Sequence, residues 1–482
     1  MAWTLGPGTT LSIEARHNPP TAELRNPTSG RIVLQAPDSG EIAALEALAK
    51  KPCSATELAD AAQATQESTD LGRFWGHVDI LLRKGMVSLV SLADGGELMR
   101  ATRTSDVAVY AEVRLSSDDV VQLSRFACIR RSGDHLVVES PTACTKVTVC
   151  DARIGALLAD LSQARSVDSL CRLDVLPPAV TREALQLLAT MGVVGVADRD
   201  GVLPDDRDVA GQREFHDVLA HWHSRWGLAG EFIGARYRDG FEPLPAIKPV
   251  DGEVLPLPRP DLSRLKSADP PLAQVVEERR SVRWFGPGSL TLEQLGEFLY
   301  RVGRVRADLP PTADVPYGRT VRPYPSGGQS YDLEIYLTIT GCDDLKPGIY
   351  HYEPELHGLT LVTEQRRSVI KMVRTSCLAM ARPSVPQVLV TLASRFNRLS
   401  WRYRGLSYSL TLKNVGVLLQ SMYLAATAMG LGGCAQGSGN SRDFAQIIGC
   451  DPMEESSVGE FALGVLPPAE DSTEGPAGAA SR

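Results

Sequence analysis

Glu278-Arg279-Arg280-Ser281-Val282-Arg283-Trp284-Phe285 decides how the second half of this chain is read. Three arginines and a serine lie within five residues, followed by an apolar pair that must bury. Guanidinium groups pair bidentately with phosphate and a hydroxyl adds one more donor. The cluster therefore suits a phosphate grip, although alone it reads equally as a solvated basic face. Two later stretches look like its partners. Tyr324-Pro325-Ser326-Gly327-Gly328-Gln329 offers a hydroxyl and backbone amides where glycine permits close approach to a flat ligand, or else forms an ordinary turn. Gly430-Leu431-Gly432-Gly433-Cys434-Ala435-Gln436-Gly437 ends a long helix and is too rich in glycine for a C-cap alone.

Around these stretches, residues 271–470 alternate helices and strands. Leu292–Tyr300 reads as a capped helix and Leu333–Ile339 alternates like a strand. Gly348–Tyr352 and Leu359–Val362 look like two arms of a meander, and Pro386–Leu392 like a buried strand. Leu412–Met429 carries a wide apolar stripe through Val415, Leu418, Leu419, Met422, Tyr423 and Ala426, and Glu460–Val465 is a final strand. The class is α+β.

Upstream, two similar halves are expected, 1–95 and 96–200. In the first, helices through Ile42–Leu48, Ser54–Leu58 and Val78–Gly85 lead into the strand Met86–Val90. Ser54 and Glu57 have capping-box spacing, and Gly85 suits a C-cap. In the second, a hairpin around Ser132-Gly133-Asp134 precedes helices through Ile154–Leu158, Ser166–Leu170 and Thr181–Leu188. Leu81…Gly85-Met86-Val87 matches Leu188…Gly192-Val193-Val194 at an offset of 107 residues. A duplicated winged-helix-like module is the expectation. The third helices carry few basic residues (Arg83 and Lys84; Arg182), which speaks against DNA. Peptide recognition by strand addition and plain scaffolding are the readings kept.

Residues 201–270 turn polar and proline-rich, an extended arm of a kind that often wraps a neighbouring subunit. His221 and His223 lie two apart on a helix and face different ways, so no shared metal is expected. The compact domain is placed at 271–467 and a disordered tail at 468–482.

The whole chain has 482 residues, 43% hydrophobic and 22% charged, which fits two to four globular domains. A net charge of −8 gives no nucleic-acid footprint. Nine scattered cysteines without a CxxC pair exclude a ribbon-type zinc site and argue against a disulfide framework. No signal peptide, no membrane span and a cytoplasmic location are expected.

Together the motifs resemble the nitroreductase-like flavoprotein superfamily, and within it the SagB-type thiazole/oxazole dehydrogenases. The residues that carry the resemblance are Glu278–Arg283, Arg322–Gly328, Pro347–Tyr352 and Gly416…Gln420–Ala426…Gly430–Gly432. The ending Ser456–Phe461 and the two front modules are most similar to cyanobactin-type peptide oxidases, and the modules themselves resemble PqqD-like peptide-recognition domains. The resemblance implies a mixed sheet flanked by helices, with FMN at a homodimer interface. Arg279, Arg280, Ser281 and Arg283 would hold the phosphate and ribityl chain. Pro325, Ser326, Gly327 and Gly328, the last three from the other subunit, would lie by the ring, with Gln436 and Gly437 at its N5 edge. The implied reaction is oxidation of a thiazoline or oxazoline in a ribosomally made peptide to the azole, with a cyclodehydratase as a further partner. Where the family has Lys-Tyr as base motif, this chain has Arg402-Tyr403. Arginine stays protonated, so Tyr403 becomes the implied base, with Arg402 or Arg404 as the positive charge favouring its phenolate. Tyr408 and Lys413 are fallbacks. Two alternatives stay open: an NAD(P)H:FMN oxidoreductase acting on a small or carrier-bound substrate, and a flavin-free scaffold.

Overall fold

The computed structural model describes residues 1–14, 19–27, 29–65, 69–105, 112–228, 233–381 and 384–468. The expected disordered tail lies, from residue 469 on, outside them. The chain divides into two units, Met1–Ile233 and Gly234–Arg482.

In the first unit, helices Ser39–Lys50, Ala55–Gln63 and Leu71–Arg83 enclose one core around Leu45, Leu48, Leu58, Phe74 and Leu81. Helices Ala152–Asp160, Val167–Cys171 and Pro178–Thr190 enclose a second around Ile154, Leu157, Leu170, Leu185 and Leu188. The Ser54–Glu57 capping box forms, and Asp38–Glu41 makes another. Gly85 and Gly192 both end a third helix with positive φ, 66° and 64°. The hydrogen bonds repeat as well: Met86 N–H donates to Leu81 C=O and Val193 N–H to Leu188 C=O, at 2.9 and 3.0 Å. The duplication read from sequence thus has a geometric counterpart at the helix ends.

The two halves are not separate bodies, however. One antiparallel sheet runs Ala2–Leu5, Val87–Ala93, Gly96–Arg103, Thr145–Val149, His135–Ser140, Cys128–Ser132. The expected boundary at 95/96 falls in the tight turn of a hairpin whose two strands pair with each other.

In the second unit, a seven-stranded sheet runs Val254–Pro256, Gly358–Thr363, Gly348–Glu353, Leu333–Ile339, Val388–Arg395, Glu455–Val465, Leu431–Gln436. The sheet expected to be mixed is antiparallel at every described pairing. Each strand starts at the end of the sheet where its neighbour stops, so hairpins and helical returns suffice. Helices Leu292–Val302 and Ser407–Ala428 border the main core on one face. Helix Arg366–Ala379 and Ser441–Ile448 cover the other.

The proline-rich segment after residue 233 is not a free arm. Gly234–Ala235 pairs with Tyr403–Arg404, and Val254–Pro256 adds the outermost strand to the large sheet. Prolines cannot donate a ladder bond, and around Pro243 and Pro245 the segment docks through its carbonyls. Arg398 Nη1 donates to Leu244 C=O at 2.5 Å, and Arg395 Nη2 to Pro245 C=O at 3.0 Å. No helix among the described residues is long and apolar enough to cross a membrane.

Candidate active site

The strand Leu431–Gln436 is last in its sheet, so its outer edge has no strand neighbour. Residues 279–286 fill that edge. Val282 N–H donates to Gly433 C=O at 2.8 Å, and Gly286 N–H to Val465 C=O at 2.9 Å. Ala435 N–H donates to the Tyr423 hydroxyl at 2.8 Å, and that hydroxyl lies 2.8 Å from Ser281 Oγ. The Arg279 guanidinium sits over the Tyr423 ring, 5.2 Å from its centroid. Arg280 and Arg283 are exposed beside it. Four elements thus bring a hydroxyl and three cations together: the stretch 279–283, the long helix, the edge strand and the short helix Leu272–Glu278 ahead of them.

The glycines follow from the same packing. A Cβ on Gly432 would stand 2.8 Å from Val282 Cγ1, and one on Gly433 would run into the Phe461 ring. What reads as a glycine loop is therefore a strand whose neighbours leave no room for side chains. Trp284-Phe285, expected to bury together, splits. Phe285 packs near Met380 and Cys434, while Trp284 stays 49% exposed.

The Pro325–Gly328 stretch lies elsewhere on the same long helix. Gly327–Gln329 is one tight turn with Gly328 at φ 59°. Gly327 N–H donates to Asn414 Oδ1 at 3.1 Å, and Asn414 Nδ2 donates to Asp332 Oδ1 at 2.7 Å. The fully buried Asp332 also accepts from Ser394 Oγ at 2.7 Å and Thr411 Oγ1 at 3.0 Å. Ser326 Oγ accepts from Tyr331 N–H at 3.0 Å, and Pro325 is exposed.

Arg402 and Tyr403 meet this turn. Arg402 Nη1 donates to the Tyr317 hydroxyl and lies 3.4 Å from Gly328 C=O, to which Tyr317 donates at 2.9 Å. A Cβ on Gly328 would overlap the Tyr403 hydroxyl and stand 2.6 Å from Arg402 Nη1. Burial pushes the Tyr317 phenol above its ordinary value, against the opposing pull of Arg402. Tyr408 is 56% exposed, beside a cleft of about 350 Å³ that Phe396 and Met453 also line; Lys413 is exposed on the same helix.

Gln436 departs from expectation. Strand alternation turns its side chain away from Tyr423, and Nε2 donates to Ser376 Oγ at 2.5 Å on helix Arg366–Ala379. Its Oε1 is buried with no partner among the described residues. Its cross-strand neighbour Glu460 has a carboxyl pushed up to about 7 by burial. Gly437 has open space at its Cα. Within one chain, Asn414 and Tyr423 are nine residues apart on one helix, which separates the glycine turn from the arginine cluster by about 14 Å. His221 and His223 lie in the first unit, and no group of metal-ligating side chains occurs among the described residues.

The sequence assigns no site role to Asn414, Asp332 or Tyr317, and Tyr423 reads there only as part of the helix's apolar stripe. Asn414 carried a signal: a polar residue beside Val415 in an apolar helix, fully buried in the fold.

Comparison with known proteins fits this geometry. Residues 276–465 match the nitroreductase family. Residues 121–229 match the cyanobactin oxidase ThcOx model. A protein of Methanocaldococcus jannaschii, provisionally named a nitroreductase, is 25% identical over 197 residues, covering 41% of this chain and 91% of the relative. Among solved structures, a provisionally named nitroreductase of Anabaena variabilis has 14% identity and TM-score 0.36, covering 83% of this chain and 90% of its own. The Escherichia coli microcin synthetase McbBCD complex with truncated pro-MccB17 bound has 19% identity and TM-score 0.32, covering 40% and 73%. A nitroreductase-like domain preceded by a cyanobactin-oxidase segment indicates an oxidoreductase.

Proposed function

We propose that this chain is an FMN-dependent oxidase that converts thiazolines or oxazolines in a ribosomally made peptide to azoles. The observation that carries the reading is the pairing in one chain of a ThcOx segment at 121–229 with a nitroreductase domain at 276–465 whose edge is lined by Arg279, Ser281 and Tyr423. The residues present fit FMN. A hydroxyl and three guanidinium groups stand at one end, and at the other the space beside Gly328 is taken by Tyr403 and Arg402. Arg279, Arg280, Ser281 and Arg283 would hold the phosphate and ribityl chain, and Pro325, Ser326, Gly327, Gly328, Gln436 and Gly437 would line the ring. Bound there, FMN supplies a two-electron oxidant that accepts hydride and is restored by oxygen.

The reading includes a homodimer, in which each flavin would take its glycine turn from the second copy. Leu272, Val276, Leu412 and Val417, all exposed in the single chain, offer apolar surface for that contact. Tyr403 is the base for the ring Cα proton, and the Arg402 guanidinium lies 5.2 Å from the centre of its ring. The open edge strand Cys128–Ser132 of the first unit takes the peptide's leader as an added strand. A cyclodehydratase supplies the azoline.

The test is to load the purified chain with FMN and incubate it in air with a thiazoline peptide. A loss of two hydrogens by mass spectrometry, independent of NAD(P)H, is expected. Turnover only with NAD(P)H would replace this reading by a small-molecule reductase, and failure to bind FMN would leave a scaffold.

A further inference from the structure

The segment that follows the first unit lies directly on the Arg402-Tyr403 turn. Gly234 pairs with Arg404 and Ala235 with Tyr403. Arg236 N–H donates to Arg402 C=O at 2.7 Å, and Arg238 N–H to Trp401 C=O at 2.9 Å. Arg238 Nε donates to Ser400 C=O at 2.8 Å. Between them, the Tyr237 ring stacks on Trp401, with centroids 4.9 Å apart and planes 12° off parallel. Tyr237 also meets Tyr317 edge-on at 6.5 Å, and Tyr317 meets Trp401 at 5.2 Å. The Arg402 guanidinium sits among three phenol rings: 6.0 Å from Tyr237, 5.2 Å from Tyr317 and 5.2 Å from Tyr403.

A passive linker would leave the turn to fold by itself. Here the turn's backbone from Ser400 to Arg404 is bonded to the arm, and the turn has little else to hold it. It is two residues of strand between a short helix, Asn397–Ser400, and the long helix Ser407–Ala428. Glycine at 405, with φ 73°, follows at once. Arg402 Nε has no partner among the described residues, so its orientation rests on Tyr317, Gly328 and the enclosing rings.

We infer that Tyr237 is a positioning residue: its stack on Trp401 fixes the Arg402-Tyr403 turn against Gly328 and thereby sets the rate of the reaction proposed above, on which this inference rests. Its ring contacts are Trp401, Tyr317 and the Arg402 guanidinium, and it acts through them. The arm is also the covalent route out of the first unit, so catalysis is tied to how that segment is held.

The test uses the full chain with Tyr237→Leu, Tyr237→Phe and Arg238→Ala, the last removing only the Ser400 contact. Without flavin, trypsin reports directly on the turn, because it cleaves after Arg402 and Arg404. An aromatic stack of this kind is worth roughly three- to tenfold in an equilibrium. Tyr237→Leu is expected to speed cleavage at those two sites by about that factor and to lower kcat on the azoline peptide similarly. KM and flavin affinity should stay within about twofold, since neither site is touched. Tyr237→Phe, which keeps the stack, should restore both readouts, and Arg238→Ala should move them in the same direction as Leu. Wild-type cleavage rates in Tyr237→Leu, a rise in KM alone, or failure of Phe to rescue would each overturn the inference. If Leu does not fold, Arg238→Ala decides. If the wild type does not oxidise azolines, the functional proposal fails, while the cleavage arm still decides whether Tyr237 holds the turn.

Discussion

Replacing Tyr423 by Phe removes one oxygen and little else. The ring still packs edge-on against Phe461, at 5.1 Å and 81°, and still lies under Arg279. The hydroxyl, however, is 2.8 Å from both Ser281 Oγ and Ala435 N. Without it, an outward-facing amide of the edge strand loses its acceptor, and the serine is free to rotate. A donor stripped of its partner costs about 1–3 kcal/mol when buried. Ala435 is half-buried, so the lower part of that range applies, and the domain should melt about 2–4 °C lower. The effect on ligand is larger if Ser281 grips a phosphate. A hydrogen bond to a charged group contributes about 1.5–3 kcal/mol, so the Kd for FMN should rise roughly ten- to hundredfold. The assay is titration of flavin-free protein with FMN, followed by quenching of flavin fluorescence. Ser281→Ala should give a similar Kd, and the double variant should add little, because both remove the same bridge. A Kd for Tyr423→Phe within twofold of wild type, or full additivity with Ser281→Ala, would refute the reasoning.

Three other outcomes follow from the fold. Asp332→Ala strips the acceptor from Ser394, Thr411 and Asn414 at once and should cost on the order of 3–5 kcal/mol in chemical denaturation, whereas Asp332→Asn should cost less than half of that. Tyr403→Phe should lower kcat by about 10²–10⁴ with little change in flavin affinity if Tyr403 moves the proton; Arg402→Lys should lower it less, since the shorter side chain weakens the Tyr317 and Gly328 contacts while the charge remains. Burial raises the Glu460 carboxyl from 4.5 to about 7, so the fold prefers it protonated; that stability is present below pH 4.5 and lost as pH rises through 7. Glu460→Gln should therefore raise the melting temperature at pH 8, by the equivalent of about 2–3 kcal/mol, and hardly at pH 4.5.

The buried cluster of the main sheet adds to the same alkaline loss. Burial alone would push His351 down, but Glu334 and Glu353 at 3.1 and 2.9 Å outweigh it and raise it to about 9. Its contribution is complete below pH 6.5 and fades as pH passes 9. Arg395, also bonded to Glu334, carries the cluster's charge out to Pro245 on the docked arm.

Local features were legible in the sequence. The Ser54–Glu57 cap, the turn at Gly133 and the two helix ends at Gly85 and Gly192 each depend on residues within a few positions. Features set by distant partners were not. Leu431–Gln436 reads as a glycine-rich helix end rather than a strand because Gly432 and Gly433 answer to Val282 and Phe461, which the local pattern does not reveal. The segment after residue 233 reads as free because its prolines carry no ladder donors, while the arginines that hold it lie about 150 positions away. The site divides the same way. The arginine cluster and the glycine turn announce themselves by composition; Tyr423 looks like an ordinary member of the helix's stripe, and Asn414 shows only as a polar residue within it. Strand direction was legible only where a short turn joined neighbours, as at Gly133 and between Gly348–Glu353 and Gly358–Thr363; pairings between distant strands left no local trace.

The shared sheet of the first unit bears on how such a front end could be exchanged between proteins. Gly96–Arg103 bonds to Val87–Ala93 on one side and to Thr145–Val149 on the other. A cut between the halves would leave two raw edges, each an invitation to aggregate. The two halves must therefore be inherited, or transplanted, as one cassette, and a graft that takes only the segment 121–229 would leave behind the strand on which its own sheet is laid.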